Sequence, residues 1–215
     1  MRKTLVLTTA AVALALPAGA NAAAFVNGSF EDGVAPGVYT TVAGGDSSSI
    51  AGWTVTGNSV DYVGSYWPAQ DGSRSIDLNG NAQGGIEQTF DTVAGTLYSV
   101  TFWLAGNTDG APVTKSVLVG ATGNDGKLVT FDSSAFDRGD MGWAKYSYNF
   151  VAQNASTTLS FASQDAGPFG AALDNVSLLI GGGVPEPATW GLMILGFGGI
   201  AGAMRRRKAA GMSFA

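Results

Sequence analysis

The sequence predicts an all-β protein, an antiparallel two-sheet sandwich of the jelly-roll kind, with an N-terminal signal helix before it and a C-terminal transmembrane helix after it. Three observations predict it. Apolar residues recur at period two through residues 24–180. Gly, Asn, Asp and Ser punctuate those runs. No amphipathic helical pattern of useful length occurs before residue 185.

The clearest strand covers residues 97–105. Tyr98, Val100, Phe102 and Leu104 fall on one face; Ser99, Thr101 and Trp103 fall on the other. Residues 143–151 place Tyr146, Tyr148 and Phe150 opposite Lys145, Ser147 and Asn149. Residues 157–162 align Leu159 with Phe161, and residues 171–180 align Val176, Leu178 and Ile180 inward. Shorter candidates are 25–30, 52–56, 60–63, 75–78, 85–90, 115–119 and 127–131. Asn124-Asp125-Gly126, between two of these runs, is a hairpin signal.

The ends differ from this body. Arg2 and Lys3 precede an apolar run, Pro17 and Gly19 break it, and Ala20-Asn21-Ala22 offers small residues for a signal peptidase. Residues 1–22 are therefore expected to be a cleaved signal peptide. Residues 23–180 form the sandwich, and residues 181–187 a Gly/Pro linker opened by Gly181-Gly182-Gly183. Residues 188–204 are uncharged, long enough at the lower limit for a membrane span. Residues 205–215 form a basic tail. Arg205, Arg206, Arg207 and Lys208 stop transfer and stay in the cytoplasm, which leaves the body outside.

Charge and composition exclude several functions. Between residues 23 and 183, five basic residues stand against 15 acidic ones, a net charge of −10. Such a body repels phosphate backbones, so no nucleic-acid partner is expected. The chain has no histidine and no cysteine. That removes His-dependent nucleophile systems and ordinary zinc sites. It also removes disulfides, so stability rests on packing. A hydrolase here would have to use a carboxylate pair, and no motif singles one out.

The tail carries a specific order: Val184, Pro185, Glu186 and Pro187, then the apolar segment, then the basic cluster. It resembles the PEP-CTERM sorting signal. The resemblance implies an exosortase-type membrane protease that cuts near the motif and passes the protein to the cell surface or exopolysaccharide matrix. It also implies a Gram-negative bacterial host and an inner-membrane intermediate.

The body carries Asn27-Gly28-Ser29-Phe30-Glu31 at its start, Gln70-Asp71-Gly72-Ser73-Arg74 in the middle, and Leu173-Asp174-Asn175-Val176 at its end. These motifs resemble the galactose-binding-like sandwiches of carbohydrate-binding modules, related plant cell-wall proteins of unknown function, and the choice-of-anchor domains that precede PEP-CTERM tails. The resemblance implies one structural calcium ion. Glu31 and Asp174 would supply carboxylates, with backbone carbonyls near Gly28 and Asp71 completing a hard oxygen shell.

Sugar binding needs an aromatic platform beside polar groups. Tyr66 and Trp67 stand in a loop marked by Pro68, Tyr62 lies just before it, and Trp103 shares the polar face of its strand. These four are the candidate ligand residues. The expected function is an exported surface or matrix protein that binds polysaccharide and is not an enzyme. The alternatives are a structural matrix protein without a discrete ligand site and a carboxylate-based glycoside hydrolase.

Overall fold

The computed structural model describes residues 24–181. The expected signal peptide, sorting motif, membrane segment and basic tail lie outside the described residues.

Alternating side chains build eleven strands: β1 (Tyr39–Ala43), β2 (Thr54–Gly57), β3 (Ser59–Val63), β4 (Ser75–Asp77), β5 (Gly84–Asp91), β6 (Leu97–Gly106), β7 (Thr114–Ala121), β8 (Lys127–Asp132), β9 (Ala144–Val151), β10 (Ser156–Ser163) and β11 (Ala171–Ile180). They form a six-stranded sheet in the order β1-β3-β4-β11-β6-β9 and a five-stranded sheet in the order β2-β5-β10-β7-β8. Every named pairing is antiparallel. This is the expected two-sheet sandwich, with no helix among the described residues.

The strand readings hold with two exceptions. The expected strand at 25–30 is an irregular segment, because Asn27 and Phe30, three residues apart, both adopt left-handed backbone (φ 52° and 58°) and leave no extended run between them. Its place as the first strand is taken by β1, whose Thr40-Thr41-Val42 run is β-branched but mostly exposed. The hairpin expected around Asn124-Asp125-Gly126 joins β7 to β8, with Val119 opposite Lys127.

Facing side chains of the two sheets make the main core. Phe102 on β6 meets Phe161 on β10 edge-to-face, ring centroids 5.1 Å apart. Trp53 packs against Phe161 and Phe30 at 6.3 and 5.4 Å. The outer face of the six-stranded sheet is covered as well. Val63, Trp67, Ala105, Phe131, Met141 and Ala172 form a second, smaller cluster beneath the 64–69 and 133–143 loops. β4 is therefore buried on both faces.

β11 changes parity partway. Ala171 and Leu173 point into the main core, and so does Val176. The register shifts between Asp174 and Ser177, with Asn175 in the left-handed region at φ 46°. Val176 and Leu178 thus face inward as the period suggested, whereas Ile180 at the strand's end is exposed.

The first segment docks against this bulge. Val176 N–H donates to Gly28 O at 2.8 Å. A Cβ on Gly28 would stand 1.9 Å from Val176 O, a backbone atom that cannot yield. Gly28→Ala is therefore expected to destabilise the domain by about 1–3 kcal/mol, the range for overpacking. Gly139→Ala, where the nearest atom is a side-chain oxygen at 3.2 Å, is expected to leave the melting temperature nearly unchanged. Parallel thermal melts check both.

Candidate functional site

Two carboxylates gather the three motifs. Glu31 Oε1 accepts the N–H groups of Ser73 and Arg74 at 2.8 and 2.7 Å, and Oε2 accepts the Ser73 hydroxyl at 2.8 Å. Asp174 Oδ2 accepts the N–H groups of Gln70 and Asp71 at 2.7 and 3.0 Å, and Oδ1 accepts Asn175 N–H at 2.6 Å. Ser29 donates to Asp71 Oδ2 at 2.7 Å. Gln70 Oε1 accepts from the Asn175 side chain at 2.7 Å. The 70–74 loop is thereby pinned between the first segment and the last strand.

The motifs meet where the resemblance implied, but as a hydrogen-bonded clasp. The Glu31 and Asp174 oxygens face amide protons, and the Gly28 carbonyl accepts Val176 N–H. A calcium shell needs those same lone pairs turned toward a common centre. Among the described residues no group of three or more acidic side chains converges in that way. In this arrangement N–H and O–H donors occupy the oxygens that an ion would use.

A separate cleft of about 180 Å³ opens on the outer face of the six-stranded sheet. Cross-strand register builds its floor. Thr41, Asp61 and Asp77 stand side by side on β1, β3 and β4. Thr41 donates to Asp61 Oδ1 at 2.6 Å. Tyr39, Tyr66, Trp67 and Phe169 supply aromatic wall, and Asn81, Asn107 and Asp109 supply polar groups. Tyr39 and Tyr66 meet edge-on at 5.3 Å. Tyr66 donates to Asp109 Oδ2 at 2.5 Å, Arg138 donates to Asp109 Oδ1 at 2.9 Å, and the Arg138 guanidinium lies 4.4 Å over the Tyr66 ring.

The charges of the cleft are set by burial against hydrogen bonding. Asp77 is fully buried. Loss of water pushes its carboxyl up to about 7, against the opposing pull of Asn107, Asn79 N–H and Gly170 N–H. Its neighbour Asn79 carries a buried Oδ1 without a partner among the described residues. Both side chains press on Gly170, where a Cβ would lie 2.7 Å from Asp77 Oδ1 and 2.4 Å from Asn79 Oδ1. Burial also raises Asp61. Burial raises Asp109 too, but Tyr66 and Arg138 outweigh it and leave the group below its usual value. Buried Lys115 donates to Gly110 O and Phe169 O at 2.9 and 2.8 Å, joining the two loops that edge the cleft. Burial lowers its ammonium against the attraction of Asp77 and Asp165.

Of the four aromatic candidates, Tyr66 and Trp67 line this cleft, and Tyr62 and Trp103 do not. Tyr62 is 0 % exposed: with Val60 it takes the inward face of β3, while Asp61 and Val63 take the outward one. Its hydroxyl donates to Phe30 O and receives Arg74, so it is a core residue and no platform. Trp67 is buried, donates to Ser75 Oγ at 2.9 Å, and backs the cleft from below. Trp103 is half-buried on the same outer face but opposite Asp174 and Lys145, away from the cleft. Tyr39, Asp61, Asp77, Asn107 and Phe169 escaped the sequence reading. A usable signal existed: Val60-Asp61-Tyr62 and Ile76-Asp77-Leu78 each put a carboxylate inside a strand, where charge is rare unless it serves something.

Comparison with known proteins places this body. Residues 23–179 match the family described as "Protein of unknown function (DUF642)". The chain belongs to the DUF642 family. Residues 183–208 match the PEP-CTERM protein-sorting motif, so this DUF642 protein carries a signal for export and sorting. It is 36% identical over 162 residues to halomucin of Haloquadratum walsbyi, covering 71% of the present chain but 2% of halomucin. Among solved structures, the DUF642 domain is similar to TmCBM61, determined with β-1,4-galactotriose (TM-score 0.44, 16% identity, 74% of this chain and 99% of that one). It is also similar to the CBM22-1 xylan-binding domain of Paenibacillus barcinonensis Xyn10C (TM-score 0.44, 14% identity, 66% and 92%).

Asp77 gives the DUF642 domain a pH dependence with a definite sign. A carboxyl raised in the folded state binds its proton more tightly there than in the unfolded chain. Its contribution is complete below the unfolded value of 3.8 and is lost as pH rises through about 7. Urea unfolding is expected to give a higher midpoint at pH 5 than at pH 8, and Asp77→Asn is expected to shrink that difference.

Proposed function

We propose that this protein is exported by a Gram-negative bacterium and binds polysaccharide through the cleft on its six-stranded sheet. Signal peptidase removes residues 1–22. Residues 188–204 hold the chain in the inner membrane, with Arg205 to Lys208 on the cytoplasmic side. An exosortase then cuts near Pro185-Glu186-Pro187, and the domain passes to the cell surface or the exopolysaccharide matrix.

One observation carries the binding reading: a concave site joins aromatic wall to hydrogen-bonding floor. Tyr39, Tyr66 and Phe169 offer ring surface to the C–H face of a sugar. Asp61, Asn81, Asn107 and Asp109 offer acceptors and donors to its hydroxyls. This is the usual composition of a small-ligand site, mostly apolar with a few placed polar groups. Its volume of about 180 Å³ lies below the roughly 300 Å³ of drug-sized pockets. It suits one ring or a chain end. The floor has no basic side chain, so neutral sugars suit it better than acidic ones.

Binding is favoured over catalysis by the state of the carboxyl pair. Asp61 and Asp77 are directly opposite across β3 and β4, but Asp77 is fully buried in the floor with three N–H groups donated to it. An acid so enclosed does not reach a glycosidic oxygen. Release of reducing sugar from matrix polysaccharide would revive the hydrolase reading.

Tyr39→Ala, Tyr66→Ala and Asp61→Ala are each expected to weaken glycan binding about tenfold, or ~1.4 kcal/mol, with the melting temperature within a few degrees of the parent. Calorimetric titration with neutral glycans and the host exopolysaccharide checks this. Absence of binding by the parent protein would favour a structural matrix role. The clasp is proposed to work without metal. Chelator is expected to leave the melting temperature unchanged, because only an ion bound to the folded state could lower it on removal.

A further inference from the structure

The cleft and the chain's exit lie at opposite ends of the sandwich. Ala172 on β11 is paired with Asp77 at the cleft, and Ile180 ends the same strand. Eight residues of strand separate those levels by about 26 Å.

The exit end is chemically unlike the rest. Residues 92–106, 146–164 and 175–183 contain no Asp, Glu, Lys or Arg, in a body whose net charge is −10. These stretches supply the turns at 92–96 and 152–155 and the end of β11. The β7–β8 turn reaches the same end and sets Asp125 and Lys127 beside Tyr148 and Ser147, and Asp91 stands opposite Ser156. Large apolar side chains are exposed there together: Val93 at 65%, Leu97 at 46%, Leu179 at 60% and Ile180 at 68%. Register joins them. Leu97 is opposite Val151, Ile180 is opposite Tyr98, and Gly181 N–H donates to Leu97 O at 2.7 Å. Contiguous exposed apolar surface in a soluble body marks a contact site. The cleft end, by contrast, carries Asp61, Asp77, Asp109 and Arg138.

The chain itself names the occupant. Only residues 181–187 separate this face from the uncharged segment 188–204. Seven extended residues span at most about 25 Å. A domain on so short a tether stays within reach of the bilayer that the segment enters.

We propose that the apolar surface around Val93, Leu97, Leu179 and Ile180 is a membrane-contacting face. It rests on the reading of residues 188–204 as the membrane anchor. While the protein is anchored, these side chains enter the headgroup boundary of the outer leaflet, where apolar groups without charge are stable. The acidic cleft then points away from the membrane toward incoming polysaccharide. Cleavage near Pro185 removes the tether and frees the face.

The absence of cysteine makes site-specific labelling direct. The full chain, reconstituted in phosphatidylcholine nanodiscs, would carry an environment-sensitive fluorophore at Val93→Cys, at Ile200→Cys or at Asn81→Cys beside the cleft. Quenching by spin-labelled lipid is expected at 93 and 200 and not at 81. Quenching at 200 alone would overturn the membrane face while leaving the anchor intact. Quenching at none of the three would overturn the anchor and the face together. Replacement of Leu179 and Ile180 by Ser, both exposed and so tolerated by the fold, is expected to reduce quenching at 93 and not at 200.

Discussion

Backbone N–H groups of an irregular loop must find acceptors, and in this domain two carboxylates provide them. Residues 70–74 have no strand partner, so their amides turn to Glu31 and Asp174. A buried amide left unpaired would cost free energy comparable to a lost hydrogen bond. The loop can therefore sit tightly on the sheet only while both acids are in place. That requirement explains the unusual backbone nearby. The bulge at Asn175 lets Asp174 keep to the outer face while Val176 enters the core, and left-handed Asn27 and Phe30 bring Glu31 alongside. The start of β4 follows directly from the loop, so the position of Asp77 in the cleft depends on the clasp.

The opposite edge of the cleft uses the inverse chemistry. There a cation holds carbonyl groups: Lys115 Nζ ties Gly110 O to Phe169 O. Asp77 gathers the N–H groups of Asn79 and Gly170 and the amide of Asn107 close by. Carboxylates satisfy loop donors and an ammonium satisfies loop acceptors, so irregular backbone can be buried against the sheet. The six-stranded sheet is consequently packed on both faces, and the cleft is the part that the covering loops leave open.

Much of the strand pattern was legible because half-buried strands alternate. β6, β9 and β10 show clean period two and lie within a residue or so of their expected bounds. β1 was missed because an exposed edge strand has little apolar alternation to display. The 25–30 segment misled because Phe25 and Phe30 are apolar at strand-like spacing, yet left-handed Asn27 turns the chain between them. Tyr62 was misplaced for a related reason. It stands in a strand just before a loop, but strand parity sends the ring into the core. The three motifs that meet in the clasp were legible as a set, although their chemistry was not. Sequence shows which oxygens are present but not whether protons or a cation will face them.

By itself the sequence determined the sandwich class, the acidic body followed by an uncharged segment and a basic tail, and the sorting signal, because these depend on periodicity, composition and contiguous order. The tertiary structure alone decided the cleft. Tyr39, Asp61, Asp77, Asn107 and Phe169 come from five separate segments, and only cross-strand register and loop packing bring them together. It also decided that the charge-free turns at 92–96 and 152–155 and the end of β11 converge on one end. Each is an unremarkable gap between charges along the chain, and each becomes part of a surface only when antiparallel pairing stacks their turns side by side.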